Sequence, residues 1–320
     1  MKKMMLWLVS GAALALVSCE NQLDSTTDNT DRFVVSTVYA SAPGGRTAND
    51  GFATNWSADD VVNLFAVESG LFESATAGQI HNHGQFKTDG TGLFTFTGGS
   101  VSSLPELDPT KSYDWFMLFA YKAARNKPFG LVDQGFVTVG SDVENNLPST
   151  GKSGIKTQTG VNSTAHLVGS EGFPLQGMTT TAPGDNAPRI TMHQIVSVAE
   201  VVVTNESGKK TLVKIELKST NHTLVGRFVP DWSKEKGFNL KTHGVATRAS
   251  TTAALNLKNV TLAKGDVGSF YLGIKPHEMV EADELKVIVT FGDGSTVEKV
   301  FTGVNTTFSA GKIKKVYMTI

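Results

Sequence analysis

One cysteine stands in a chain of 320 residues, and it occupies position 19. A lone thiol can form no internal disulfide and no cysteine-rich metal site, so covalent attachment is the chemistry left to it. The other reactive residues are less well arranged. His81-Asn82-His83 places two imidazoles at i and i+2. On a strand that spacing aims both at one face and could begin a metal site. No third ligand can be matched to them, so a polar hairpin flank is preferred. Gly151-Lys152-Ser153 ends like a phosphate-binding loop, but Asn146 stands where the first glycine belongs and no helical pattern follows. Asp59-Asp60 would project to opposite faces of a strand, which suits shared acid–base work badly. His193 lies in a strongly apolar run and is expected to be a hydrogen-bonded, buried or edge histidine rather than a catalyst. No Gly-x-Ser-x-Gly elbow is present. With no acid, base and nucleophile to group, the chain is read as a non-enzyme without metal or cofactor.

The surroundings of Cys19 say more. Lys2 and Lys3 precede an apolar stretch from Met4 to Val17, broken only by Ser10 and Gly11. This is too short for a bilayer span, which needs about 20 apolar residues, and it has the length of an export-signal core. It closes in Leu16-Val17-Ser18-Cys19, which resembles the lipobox of bacterial lipoproteins. The resemblance implies removal of residues 1–18, acyl chains on Cys19 and anchorage in the outer membrane. At roughly 0.8 kcal/mol per buried methylene, such chains hold almost permanently. Glu20, Asp24, Asp28 and Asp31 then follow without a basic residue. Residues 19–46 are read as a tether plus a removable β-prone strand, with an acidic, aromatic-free start of the kind that stays disordered. Its acidity also resembles the surface-export signals of Bacteroidota lipoproteins.

The elements beyond the tether must be strands. Short β-branched and aromatic runs alternate with turn residues: Phe33–Ala40, Val61–Val67, Leu93–Thr97, Tyr113–Tyr121, Ile190–Thr204, Thr211–Lys218 and Leu224–Val229. Leu255–Leu262, Gly268–Lys275, Leu285–Phe291, Val297–Thr302 and Ile313–Ile320 continue the series. Asp89-Gly90 and Asp293-Gly294 fall between such runs and predict two-residue hairpin turns. No amphipathic helical stretch follows the signal, and the 32 glycines oppose long helices. The expected class is all-β sandwiches. Thr179–Pro188, with two prolines, a glycine and no large apolar residue, is the best boundary. It predicts an N-terminal sandwich at 47–180 and a C-terminal one at 189–320, each of ordinary domain size. A net charge of −1 offers no basic stripe for nucleic acid.

Several segments resemble the fimbrillin, or type V pilin, family of Bacteroidales and the related Mfa-like proteins. Arg46-Thr47, followed by Asn55-Trp56-Ser57-Ala58-Asp59-Asp60-Val61 through Phe65, is similar to the family's Arg and Trp-x-x-Gly-Asp-x-Ile-x-Val-Phe, with Ala58-Asp59-Asp60 replacing Gly-Asp. Tyr113–Tyr121 resembles its tyrosine-rich strand without the closing proline, and Ile190–Thr204 the strand opening its second domain. His166-Leu167-Val168 stands where Asp-Leu-Met is usual, and Phe308-Ser309-Ala310-Gly311-Lys312 with Val316–Ile320 resembles the closing motif and last strand.

The resemblance implies two tandem transthyretin-like β-sandwiches, cleavage between Arg46 and Thr47 by an arginine-specific protease, and fimbrial subunits as partners. Val316, Met318 and Ile320 share one strand face, which makes them candidates for a strand donated to a neighbour. The chain's own last strand is the rival reading of the same residues. A non-polymerising surface lipoprotein that binds glycan or a host or bacterial surface ligand is the alternative function. Trp232 in its loop would serve that role better than Trp56 or Trp115, which are expected in the core. A secreted hydrolase has the least support.

Overall fold

Runs that are mostly apolar on both faces and runs that alternate take different places in the fold. A computed structural model describes residues 32–41, 56–71, 77–99, 101–119, 137–139, 156–167, 175–231, 239–242, 249–303 and 305–320. Among these the chain is all β, with two short 3-10 turns, Ala77–Gln79 and Ala165–Leu167, and no α-helix.

The first lobe is a closed barrel. Its strands begin with β1 (Thr37–Ser41), β2 (Val61–Glu68), β3 (Ile80–Thr88), β4 (Leu93–Gly98) and β5 (Tyr113–Phe119). β6 (Val137–Val139) and β7 (Lys156–Thr159) pair elsewhere, and β8 (Leu175–Thr181) and β9 (Arg189–Gln194) complete the ring. The order is β1-β4-β3-β2-β5-β8-β9, and β1 closes it, antiparallel to β4 and parallel to β9. Val38, Leu64, Phe86, Phe94, Trp115 and Ile190 fill the interior. A bulge between Leu64 and Phe65 lies against Gly84, whose φ of 73° and contact with Gly98 and Val101 leave no room for a Cβ.

The second lobe is a sandwich with two smaller sheets beside it. Its strands are β10 (Ser197–Thr204), β11 (Lys210–Ser219), β12 (Val225–Asp231), β13 (Asn239–Thr242), β14 (Ala249–Ser250) and β15 (Thr252–Leu262), then β16 (Val267–Ile274), β17 (His277–Met279), β18 (Glu284–Phe291), β19 (Thr296–Thr302), β20 (Thr306–Phe308) and β21 (Ile313–Thr319). A three-stranded sheet, β16-β10-β21, and a five-stranded sheet, β19-β18-β11-β15-β7, supply one shared core that includes Val201, Ile215, Leu255, Phe270, Val287 and Met318. The smaller sheets are β13-β12-β14, joined by β6, and β17-β20. β16 and β18 alternate in burial, as strands with one wet face do.

β2 and β5 do not alternate, because both their faces are buried. Phe65, Val67, Phe116 and Leu118 point out of the barrel into a third cluster with Leu167, Ile195, Val196, Val198 and Phe228. That cluster joins barrel and sandwich.

Three expectations are corrected. Thr179–Pro188 is not a linker between lobes: its first three residues end β8, and 182–188 lead into β9, the antiparallel neighbour of β8 in the barrel. Ile190–Thr204 is not one strand. It breaks at Ile195-Val196, leaving β9 in the barrel and β10 in the sandwich, because the chain crosses from one lobe to the other there. The predicted hairpins at Asp89-Gly90 and Asp293-Gly294 exist, but with four-residue connections, 89–92 and 292–295. Asp89 accepts hydrogen bonds from the backbone N–H and hydroxyl of Thr91, and Asp293 does the same with Ser295, so side-chain-bridged turns replace the tight ones.

Candidate functional site

The barrel's closing strand is its most unusual part, since it ends a few residues before Arg46. Cys19, Arg46 and Thr47 lie outside the described residues, but β1 lies within them. Thr37, Val38 and Tyr39 pair with Thr95, Phe94 and Leu93 on one side, and Tyr39, Ala40 and Ser41 with Arg189, Ile190 and Thr191 on the other. Val35 and Val38 are 1% exposed and Ala40 is fully buried. Burying each valine contributes roughly 1.5–3 kcal/mol. β1 therefore fills a slot with two hydrogen-bonding walls and an apolar floor. Trp56 fastens its far end: the indole N–H donates to the Ala40 carbonyl at 2.7 Å, while the ring packs edge-on against Phe94 and Phe119. The core role expected for Trp56 thus includes holding β1. Trp115 is fully buried and donates to the Thr181 hydroxyl at 2.9 Å.

The candidate donor residues sit in the other lobe. β21 lies parallel to β10, with Val316 opposite Val201 and Met318 opposite Val203. Val316 and Met318 are buried in the sandwich core, and Ile320 packs partly buried against it. Laddered to β10 alone among the described strands, β21 is an edge of its sheet. Lys299 of β19 reaches across to the Tyr317 carbonyl at 3.1 Å.

The opposite side of this sandwich is sealed by chain from the first half of the sequence. β7 runs parallel to β15. Gln158 donates to the Ser269 carbonyl and accepts from the Tyr271 N–H, Asn162 accepts from the Ser269 N–H, and His166 Nε2 meets the Tyr271 carbonyl at 2.8 Å. These side chains occupy the backbone groups that an edge strand would otherwise leave open. Nothing in the sequence signalled this role for Gln158, Asn162 and His166.

The residues singled out for chemistry are placed as follows. His81 and His83 do share a face, but it looks into the barrel, against Tyr113 and Trp115. His83 is fully buried. Its Nδ1 meets the His81 carbonyl at 3.1 Å, Nε2 has no partner among the described residues, and burial pushes its pKa down to about 4. Among the described residues no group of three or more acidic, histidine or cysteine side chains is placed to hold a metal. Asp59 pairs with Lys87 at 2.6 Å and Asp60 accepts from the Ser57 N–H at 2.8 Å, so this acidic pair builds a turn. His193 is exposed on β9. Gly151-Lys152-Ser153 and Trp232 lie outside the described residues.

One cluster escaped the sequence because its members lie far apart in the chain. His222 Nε2 donates to Asp283 at 2.7 Å, and the His222 ring lies 4.7 Å from the His277 ring, which stacks on Phe308 at 4.8 Å. Asp283 is 3% exposed. Hydrogen bonds from His222, Asn221 and the Val280 N–H hold its carboxyl well below the usual carboxylate range.

No family model and no curated relative matches the sequence. Solved structures do. The chain is similar to a candidate cell adhesion protein of Bacteroides ovatus with a TM-score of 0.52 and 14% identity, over 89% of this chain and 93% of that one. The fold is that of a Bacteroides candidate adhesion protein. Alignments with a candidate cell adhesion protein of Bacteroides uniformis (TM-score 0.46, 12% identity, 90% and 94% covered) and a fimbrial assembly protein of Parabacteroides distasonis (TM-score 0.38, 12% identity, 89% and 90% covered) are looser. The expected likeness to Mfa-like proteins of Bacteroidales is met as a structural match at low sequence identity.

Proposed function

We propose that this chain is a cell-surface lipoprotein, anchored in the outer membrane through lipid on Cys19, that serves as a structural or accessory subunit of a fimbrium. Its lobes act as tandem transthyretin-like units. Cleavage between Arg46 and Thr47 matures it, and β-strand exchange joins it to other subunits. The observation that carries this reading is the position of β1. It lies upstream of Arg46 and is hydrogen-bonded along both sides. After a cut at Arg46, only non-covalent contacts keep it in the barrel. Its departure leaves unpaired backbone groups on β4 and β9 above the pockets of Val38 and Ala40, a template for another strand. A neighbour's Val316, Met318 and Ile320, spaced by two, have the matching alternation. Repeated head to tail, such a contact gives a fibre. The fold shared with a Bacteroides candidate adhesion protein supports a surface role.

A second reading has its own support. Val316 and Met318 are buried in their own lobe, as expected of a non-polymerising surface lipoprotein that binds a glycan or a host or bacterial ligand. Deletion of 313–320 separates the two. A folded, soluble monomer that no longer polymerises supports donation; an unfolded second lobe removes it. N-terminal sequencing of surface material should find Thr47. Labelled palmitate should enter the wild-type chain and not Cys19→Ala, and failure of the wild type to label would overturn the anchor.

A further inference from the structure

The segment that leads into β21 is held by the histidine cluster at one end of the sandwich. β20 pairs antiparallel with β17, with Phe308 opposite His277 and Thr306 opposite Met279. Phe308 is 1% exposed, and its other ring face belongs to the sandwich core. The stack Phe308–His277–His222 ends on Asp283, which also ties Asn221 and the Val280 N–H. One set of contacts therefore joins the turn at 219–222, the turn at 280–283 and the ribbon that precedes the last strand.

His277 can keep its place only as a neutral ring. Its Nδ1 lies 2.8 Å from the Lys275 carbonyl and must carry the proton there. Its Nε2 is buried without a partner among the described residues. A second proton would sit on Nε2 with no acceptor. The charged groups facing the ring are Lys275 and His222, which oppose a positive charge, and Asp283, which favours it but already takes the His222 N–H. β20 contributes only Thr306, Thr307 and Phe308, none of which titrates at physiological pH. Burial, ahead of these charges, keeps the His277 pKa below the ordinary histidine value.

We propose that the His222–His277–Phe308 stack, clamped by Asp283, is a proton-operated latch on the C-terminal segment, closed at neutral pH and opened in mild acid so that 306–312 releases from β17. Linkage sets the direction. In water the freed imidazole binds a proton near pH 6.5, whereas the stacked ring binds it only at lower pH. The latch is therefore fully closed above about 6.5 and loses hold as pH falls below it. One such proton can change the open fraction by at most about tenfold between pH 7.5 and 5.5. The latch does not depend on whether β21 is donated to a neighbour.

Hydrogen exchange on the full chain tests it. After correction for intrinsic rates, exchange within 306–312 should run several-fold, up to about tenfold, faster at pH 5.5 than at pH 7.5. His277→Phe, which keeps a ring on Phe308 and cannot titrate, should abolish the difference. Asp283→Asn should raise exchange in 306–312 at both pH values. A wild-type chain with no pH difference overturns the latch, whatever the variants do. So does an equal acceleration in 211–218 at the centre of the five-stranded sheet, or a pH difference that survives His277→Phe.

Discussion

β1 and β21 are the first and last strands of the described chain, and they are held in opposite ways. β1 has five residues, two hydrogen-bonded neighbours and a place inside a closed ring. β21 has seven residues and one neighbour, at the rim of an open sheet. Taking β1 out breaks two ladders and opens the barrel; taking β21 out shortens a sheet by its edge. The sandwich's other rim differs again, because Gln158, Asn162 and His166 already occupy its backbone groups.

The contrast is tested hardest at Val38. Replacing this buried side chain with aspartate places a carboxylate in the apolar slot and should cost roughly 4 kcal/mol or more. Denaturant unfolding followed by tryptophan fluorescence should show it, and an unchanged midpoint would mean that the barrel does not need β1. Met318→Ala probes the other strand. If β21 belongs to its own core in the unassembled chain, the loss should be about 2–5 kcal/mol. A negligible loss would mark β21 as already loose.

Acid probes the barrel through His83. The unfolded His83 imidazole takes a proton near pH 6.5, and the buried one only at about 4. Stability that is present above pH 6.5 should therefore fall as pH drops through that window and level off below 4. The total is roughly 3 kcal/mol. Urea melts of wild type and His83→Phe should differ in this slope; parallel profiles would show that His83 is not the group responsible. The smallest effect is expected at Trp56. Trp56→Phe keeps a ring between Phe94 and Phe119 but loses the bond to the Ala40 carbonyl, at a cost of about 1 kcal/mol. Its signature should be faster amide exchange in 37–41, with 313–319 unaffected. Equal change in both would contradict a local fastening of β1.

The strands were legible in the chain alone, because period-two burial and turn chemistry are local. In β18 the inward row of Leu285, Val287, Val289 and Phe291 stands out against Glu284, Lys286 and Thr290, and Ile288 on the outer face does not disturb it. The mostly apolar runs Val61–Val67 and Tyr113–Phe119, each broken by one polar residue (Asn63, Asp114), also carried a message, since a strand without a wet face must be covered twice. Which surface covers it was not legible. Whether a strand pairs within its own half or crosses depends on backbone groups that every residue carries alike. It took the folded chain to put β9 in the barrel, split it from β10 at Ile195-Val196, and send β7 to the far sheet. For the same reason Phe33–Ala40 was recognisable as β-prone, while its position between β4 and β9 was not. The cluster of His222, His277, Asp283 and Phe308 draws on four separate turns and strands, so no spacing in the chain could announce it.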